Sequence, residues 1–208
     1  LHFQRIRQNE SKLRKSAAFA PVSFVEGWAH YAEHMMFEQG FAKKDPELRL
    51  GQLAESLIRL ARLVVGIRLH TEDLSVEQGM RFFRDEAFLE EATARREAER
   101  GTFDPTYLVY SAGKLMLLKL RRDYKEQQGS KYSPRAFHDQ LLSNGTATFA
   151  VHRQLMLGDQ GWTGAMLEGL IPREIQWKAH NYNHLHEAPT VFYAVTLALA
   201  FIGQGNGL

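Results

Sequence analysis

Ser23-Phe-Val-Glu-Gly-Trp-Ala-His-Tyr-Ala-Glu-His34 sets two carboxylates and two imidazoles on little more than two turns of helix. Residues four apart share a helix face, so Glu26 lies over His30 and His30 over His34. Glu33, one heptad beyond Glu26, returns to the same side. Carboxylates are seldom buried without a counter-ion or a metal, and Phe24, Val25, Trp28, Ala29, Tyr31 and Ala32 predict a buried setting. Two readings follow. One is a metal ligand with an orienting neighbour; the other is the polar stripe of an amphipathic helix that faces water.

The same helical period runs outward from this stretch in both directions. Residues 2–15 place Phe3, Ile6 and Leu13 on one side. The central helix is predicted from Phe24 to Gln39, with Gly40 as its stop. Pro46 opens the next, where Leu48, Leu50, Leu53, Leu57, Leu60, Ala61, Val64 and Ile67 form the expected core stripe. Ser75-x-x-Gln78 is a capping-box pattern for a short helix. A charged helix for solvent is predicted over Glu86 to Arg100, then a long one from Pro105 to Gln128 closed by Gly129. Ser133-Pro134 caps another through Leu142, and a short helix ends near Gly158. No period-2 strand is present, so the fold class expected is all-α.

Composition narrows the function. The 208 residues are 44% hydrophobic, enough for a packed core, and contain no cysteine, which excludes disulfides and thiolate metal sites. Net charge is only +2. The basic clusters Arg5/Arg7/Lys12/Arg14/Lys15 and Lys119/Arg121/Arg122/Lys125 are interleaved with acids rather than aromatics, so no nucleic-acid partner is expected.

The opening stretch also resembles the Glu-Gly-Trp-Ala-x-Tyr-Ala-Glu signature of a bacterial family of zinc-peptidase-like proteins, long filed as a domain of unknown function. Further motifs fall in that family's order: Leu1-His-Phe-Gln4, Ser11-Lys-Leu-Arg-Lys-Ser16, Phe19-Ala-Pro-Val-Ser-Phe-Val25, Leu69-His-Thr71, Ser75-Val-Glu-Gln78, Asp104-Pro-Thr-Tyr-Leu-Val-Tyr110, Gly113-Lys-Leu115 and Phe137-His-Asp139. The resemblance covers residues 1 to about 157. It implies a gluzincin-like helical domain that hydrolyses peptides, with zinc held by two histidines of a His-Glu-x-x-Pro-Gly-His motif and by the signature glutamate, here Glu26. Glu33 or His30 would orient that ligand. Tyr110, in Tyr-x-x-Gly-Lys, would donate a hydrogen bond to the oxyanion, and His70 would line the substrate cleft, with Tyr107 and Arg100 as lesser candidates. Core packing competes for Tyr110, and a role at a helix C-terminus competes for His70. His138-Asp139 suits a cap or an orienting role.

No His-Glu-x-x-His or His-Glu-x-x-Pro-Gly-His occurs in these residues. A catalytic zinc takes three protein ligands and one open position. The chain opens on Leu1, where the second histidine would just have passed, so the expectation is a fragment inactive on its own, or a helical interaction module that keeps the scaffold without the chemistry.

Residues 171–208 read differently. Pro172-Arg-Glu-Ile-Gln-Trp-Lys-Ala-His-Asn-Tyr-Asn-His-Leu-His-Glu-Ala-Pro-Thr-Val-Phe-Tyr193 resembles the loop and second-helix entry of the MAPEG family, membrane proteins of eicosanoid and glutathione metabolism. That resemblance implies glutathione contacts at Asn183 and Glu187, with His180, Pro189 and Arg173 nearby, although three residues separate Asn183 from Glu187 where better-known members have two. His180, His184 and His186 read alternatively as a metal cluster. The apolar run 190–202 is expected to contact a membrane as a truncated spanning helix, or to be a buried C-terminal helix, since spanning takes about twenty residues. The Gly-rich join at 158–170 suggests a chimeric reading frame.

Overall fold

The computed structural model describes residues 2–158, apart from 17, 19 and 105. They form eight α-helices: α1 (His2–Arg7), α2 (Val22–Glu38), α3 (Pro46–Thr71), α4 (Val76–Glu86), α5 (Glu91–Gly101), α6 (Val109–Gln128), α7 (Pro134–Ser143) and α8 (Phe149–Leu157). No strand occurs among the described residues.

Local chemistry sets the helix starts. The Asp45 carboxylate accepts the Leu48 N–H at 3.0 Å, with Pro46 just inside the helix. Ser75 and Gln78 close a reciprocal capping box on α4. The Ser133 and Thr148 hydroxyls accept the Ala136 and Val151 N–H at the starts of α7 and α8. Gly40, Gly129 and Gly158 follow α2, α6 and α8 at positive φ, where a Cβ would strain the backbone.

Two apolar cores result. In the first, Phe24, Trp28 and Tyr31 of α2 meet Leu117, Leu120 and Tyr124 of α6, with Phe137 and Leu141 of α7, Met156 of α8 and Ile6 of α1. In the second, Ala61 and Val65 of α3 meet Met80 and Phe83 of α4, Ala94 and Ala98 of α5, and Tyr107. Helix α2 crosses α6 at backbone contact, because Gly27 faces Gly113 with no side chain between them.

Five expectations are corrected. Helix α1 stops at Arg7 rather than near residue 15, because the Asn9 carboxamide accepts the Ser11 N–H at 2.9 Å and offers the backbone a turn. The charged helix begins at Glu91 rather than Glu86, because α4 runs to Glu86 and Phe88, at a positive φ of 56°, turns the chain between them. Helix α5 is not wholly solvent-facing either, since Ala94, Ala98 and Gly101 are buried. Helix α6 starts at Val109, after a turn in which Asp104 accepts from the Thr106 backbone and hydroxyl at 2.9 and 2.6 Å. Most informative is α3. Its expected core stripe is largely outside: Leu48, Leu50, Leu53, Leu60, Val64 and Ile67 are exposed, while Ser56, Ala61, Val65 and Gly66 are buried.

Between the second core and its surface, Arg62 grips the Glu97 carboxylate with two bonds of 2.8 and 2.7 Å, both side chains under one-fifth exposed. Burial alone would raise the Glu97 pKa, but Arg62 holds it below the usual carboxylate range. Glu97→Ala should therefore cost about 2 kcal/mol in urea denaturation, because a largely buried guanidinium loses its counter-ion. Removing Glu77 from its exposed pair with Arg95 should cost no more than about 0.5 kcal/mol.

Candidate functional site

The α2–α6 crossing fixes the surroundings of the opening stretch. Trp28 is buried, and its indole N–H donates to His2 Nδ1 at 3.0 Å, tying α1 to α2. The fully buried Tyr31 bonds His138 Nε2 at 2.7 Å. Burial pushes the Tyr31 phenol up to about 12 and pulls His138 down, so both are neutral near pH 7.

His30 is buried, with Nε2 3.1 Å from Ser56 Oγ and 3.3 Å from Lys114 Nζ. An ammonium can only donate, so Nε2 accepts, its one lone pair shared between Lys114 and Ser56, and the buried Nδ1 has no hydrogen-bond partner among the described residues. Burial first, then Lys114 and Arg59, lower the His30 pKa to about 4, with the Tyr110 backbone acting the other way. Burial likewise lowers the Lys114 pKa, while Glu33 opposes the fall. The Ser56 hydroxyl, having donated to His30, accepts from Gln52 at 2.8 Å, and Gln52 accepts from Arg49 at 2.7 Å. A relay of hydrogen bonds thus runs along α3 into the imidazole of α2.

The other polar members of the stretch are also engaged. Glu33 pairs with Arg59 at 2.8 Å. His34 meets Glu38 at 3.2 Å, and Glu38 holds Arg121 at 2.7 Å. Glu26 differs. Half-buried on α2, it makes no hydrogen bond or ion pair among the described residues. Tyr110 opens α6 half-buried near the Arg62 guanidinium, 5.9 Å from its ring centre, and its hydroxyl is likewise without a hydrogen bond among the described residues.

His70 lies apart from these groups. Its Nε2–H donates to the Gly101 carbonyl at 3.0 Å, at the C-terminal end of α5. Tyr107 is buried and donates to the Glu97 carbonyl, while Arg100 pairs with Asp104 at 2.8 Å. Asp139 pairs with Arg5 at 3.2 Å. Asn183, Glu187, the histidines at 180, 184 and 186, and the apolar run 190–202 lie outside the described residues. No described helix is long and apolar enough to cross a membrane.

Sequence reasoning missed Lys114, Arg59, Ser56 and Gln52, which surround His30 and Glu33. The 3–4 spacing of Arg49, Gln52, Ser56 and Arg59 along α3 was the available signal. Among the described residues no three His, Asp or Glu side chains converge to hold a metal. Two hollows flank the C-terminal half of α2. One, about 580 Å³, is walled by His34, Phe37, Glu38, Lys43 and Arg49. The other, about 480 Å³, is apolar, with Ala32, Met36, Phe41 and Leu48 in its wall. Neither is walled by Glu26, Tyr110 or His70.

Comparison with known proteins agrees with this architecture. A "putative lipoprotein of unknown function" from Shewanella oneidensis has a solved structure that superposes with a TM-score of 0.69 at 30% identity. The match covers 75% of this chain and 29% of that one. A second solved structure, of a "putative lipoprotein" from Colwellia psychrerythraea, gives 0.64 at 33% identity over 69% of this chain and 24% of its own. The chain therefore spans only about a quarter of these relatives' length. No curated protein matches. Residues 1–156 match the family described as bacterial protein of unknown function (DUF885), and the chain belongs to that family.

Proposed function

We propose that this unit is the carboxylate-bearing helical part of a zinc-dependent peptidase, with Glu26 as one metal ligand and a peptide as substrate. The observation that carries the reading is the accounting of the α2 stretch. Gly27, Trp28, His30, Tyr31, Glu33 and His34 each have a packing or hydrogen-bonding task, and Glu26 has none. A polar group that the fold does not use is the natural candidate for a ligand supplied from elsewhere.

The residues present do not make a zinc site by themselves. Three ligands are required, and His30 is committed to Ser56 and Lys114 with cations beside it. The remaining ligands and the general base would come from a His-Glu-x-x-Pro-Gly-His motif that these 208 residues do not contain. No catalytic step is therefore assigned to this chain alone.

Zinc competition against a chromophoric chelator tests the reading. The 208-residue chain should take up no stoichiometric zinc. A fusion joining it to the part of the Shewanella oneidensis protein outside the matched region should bind one zinc. In that fusion Glu26→Gln should abolish tight binding while changing stability by no more than about 0.5 kcal/mol. Equal zinc uptake by the fusion with glutamine at 26 would exclude Glu26 as a ligand.

A further inference from the structure

We propose that the exposed face of α3 is a docking seam for an amphipathic α-helix, contributed by the part of a DUF885 chain that lies outside the region matched here. The inference rests on family membership and not on the zinc reading.

The seam is Leu50, Leu53, Leu57, Leu60, Val64 and Ile67, whose spacings alternate between 3 and 4. That is the a/d pattern of a helix paired lengthwise with another helix. All but Leu57, which is half-buried against the second core, are exposed, Leu50 at 68% and Leu53 at 48%. At 1.5 Å per residue the seam runs for about 25 Å. The other side of α3 is already filled: Ser56 lies against His30, and Ala61 and Val65 belong to the second core. An apolar strip of this length is unusual on a monomer's surface. Its period of 3.5 selects the geometry of its occupant, because only a helix at a shallow crossing angle meets successive a and d positions.

The lengths of the relatives identify the source. In the two solved proteins the matching fold is 29% and 24% of the chain. The larger part of such a chain needs a surface on which to pack, and this strip is the longest regular apolar one on any described helix. A second copy of the same helix fits less well. Pairing the seams antiparallel about their midpoint sets Arg49 opposite Arg68 of the other copy at both ends, and Arg68 already holds Glu72 at 2.9 Å, so Arg49 meets no free carboxylate there. An occupant with an acidic residue at the Arg49 end meets that arginine favourably, since its side-chain hydrogen-bond partner in this chain is the neutral Gln52.

The test is association in trans. The 208-residue chain is mixed with the unmatched part of the Shewanella oneidensis protein, made as a separate polypeptide, and followed by sedimentation velocity and calorimetry. A 1:1 complex is expected. The double substitution Leu53→Glu with Leu60→Glu should weaken it about 100-fold or more, since it buries two unpaired charges. Both positions face solvent in this chain, so circular dichroism should report an unchanged helical fold. Glu26→Gln should leave association intact, which keeps failure of the docking distinguishable from failure of the zinc ligand. Three results would overturn the proposal. One is equal binding by the doubly substituted chain. Another is a self-dimer that the same substitutions dissolve. The third is shielding of Leu60→Cys from maleimide in the chain alone, which would mean that its own residues cover the seam; the natural sequence has no cysteine to confuse that reading.

Discussion

Gly113→Ala should be the most damaging single methyl group that can be added at a described glycine, lowering stability by about 3 kcal/mol or more. A Cβ at Gly113 would lie 2.0 Å from the Ser23 carbonyl oxygen and 2.7 Å from Gly27 Cα. One at Gly27 would lie 2.5 Å from Gly113 Cα. Those obstacles are backbone atoms, so no rotamer change relieves them and the helices must move apart. Separation would loosen Phe24, Trp28 and Tyr31 from Leu117 and Leu120. For a chain of this size the melting temperature should fall by about 10 °C, measured by circular dichroism. Gly51 supplies the control: it is also inside a helix, nothing lies within 4 Å of its added Cβ, and Gly51→Ala should stabilise by about 0.5–1 kcal/mol. Comparable melting temperatures for the two variants would rule out the glycine-to-glycine crossing.

Acid should unfold the protein through its buried histidines before it titrates most carboxylates. His152 is fully buried, stacked on Phe24 at 4.5 Å, with neither ring nitrogen hydrogen-bonded. Burial first, and Arg14 second, lower its pKa to about 4, as burial and Lys114 do for His30. Both rings are thus neutral in the folded chain, whereas an unfolded histidine charges near pH 6.5. The unfolded state binds more protons below that value, so stability is full above about pH 6.5 and declines as pH falls toward 4. Each histidine contributes a slope of about 1.4 kcal/mol per pH unit across that window. His152→Leu removes two unsatisfied nitrogens and one of the two slopes. Urea denaturation should find it at least as stable as the natural chain at pH 7.5, and more stable by about 2 kcal/mol at pH 5. Parallel pH profiles for the two proteins would refute the assignment.

Much of the fold was legible because helix ends are written locally. Asp45-Pro46, Ser75-x-x-Gln78 and Ser133-Pro134 act within one turn, and Gly40, Gly129 and Gly158 act at single positions. The face that each helix buries was less legible. On α3 the period marked an apolar stripe correctly and its destination wrongly, because small and polar residues can face a core when neighbouring backbones come close. Gly66 against the Tyr107 ring and Ser56 against His30 are such places. The site divided in the same manner. Glu26 stood out by residue type, but the tasks of Glu33 and His30 depend on Arg59 and Lys114, which arrive from α3 and α6. His152 could have been found, since Phe149 and Met156 bracket it at helical spacing on the inward side of α8.

The separation of the two cores has a consequence for how the molecule opens. The second core is built largely from methyl groups, Ala61, Ala87, Ala94 and Ala98, around a few large side chains, and so removes less apolar surface from water than the aromatic first core. Amide hydrogens in α4 and α5 should accordingly exchange at lower free energy than those in α2 and α6. The exposed bend at Phe88 would then be the first place in the α4–α5 hairpin offered to a protease. Glu26 rides on the slower-exchanging half, so the α4–α5 hairpin can breathe, or be cut, while the helix that carries the carboxylate keeps its crossing with α6.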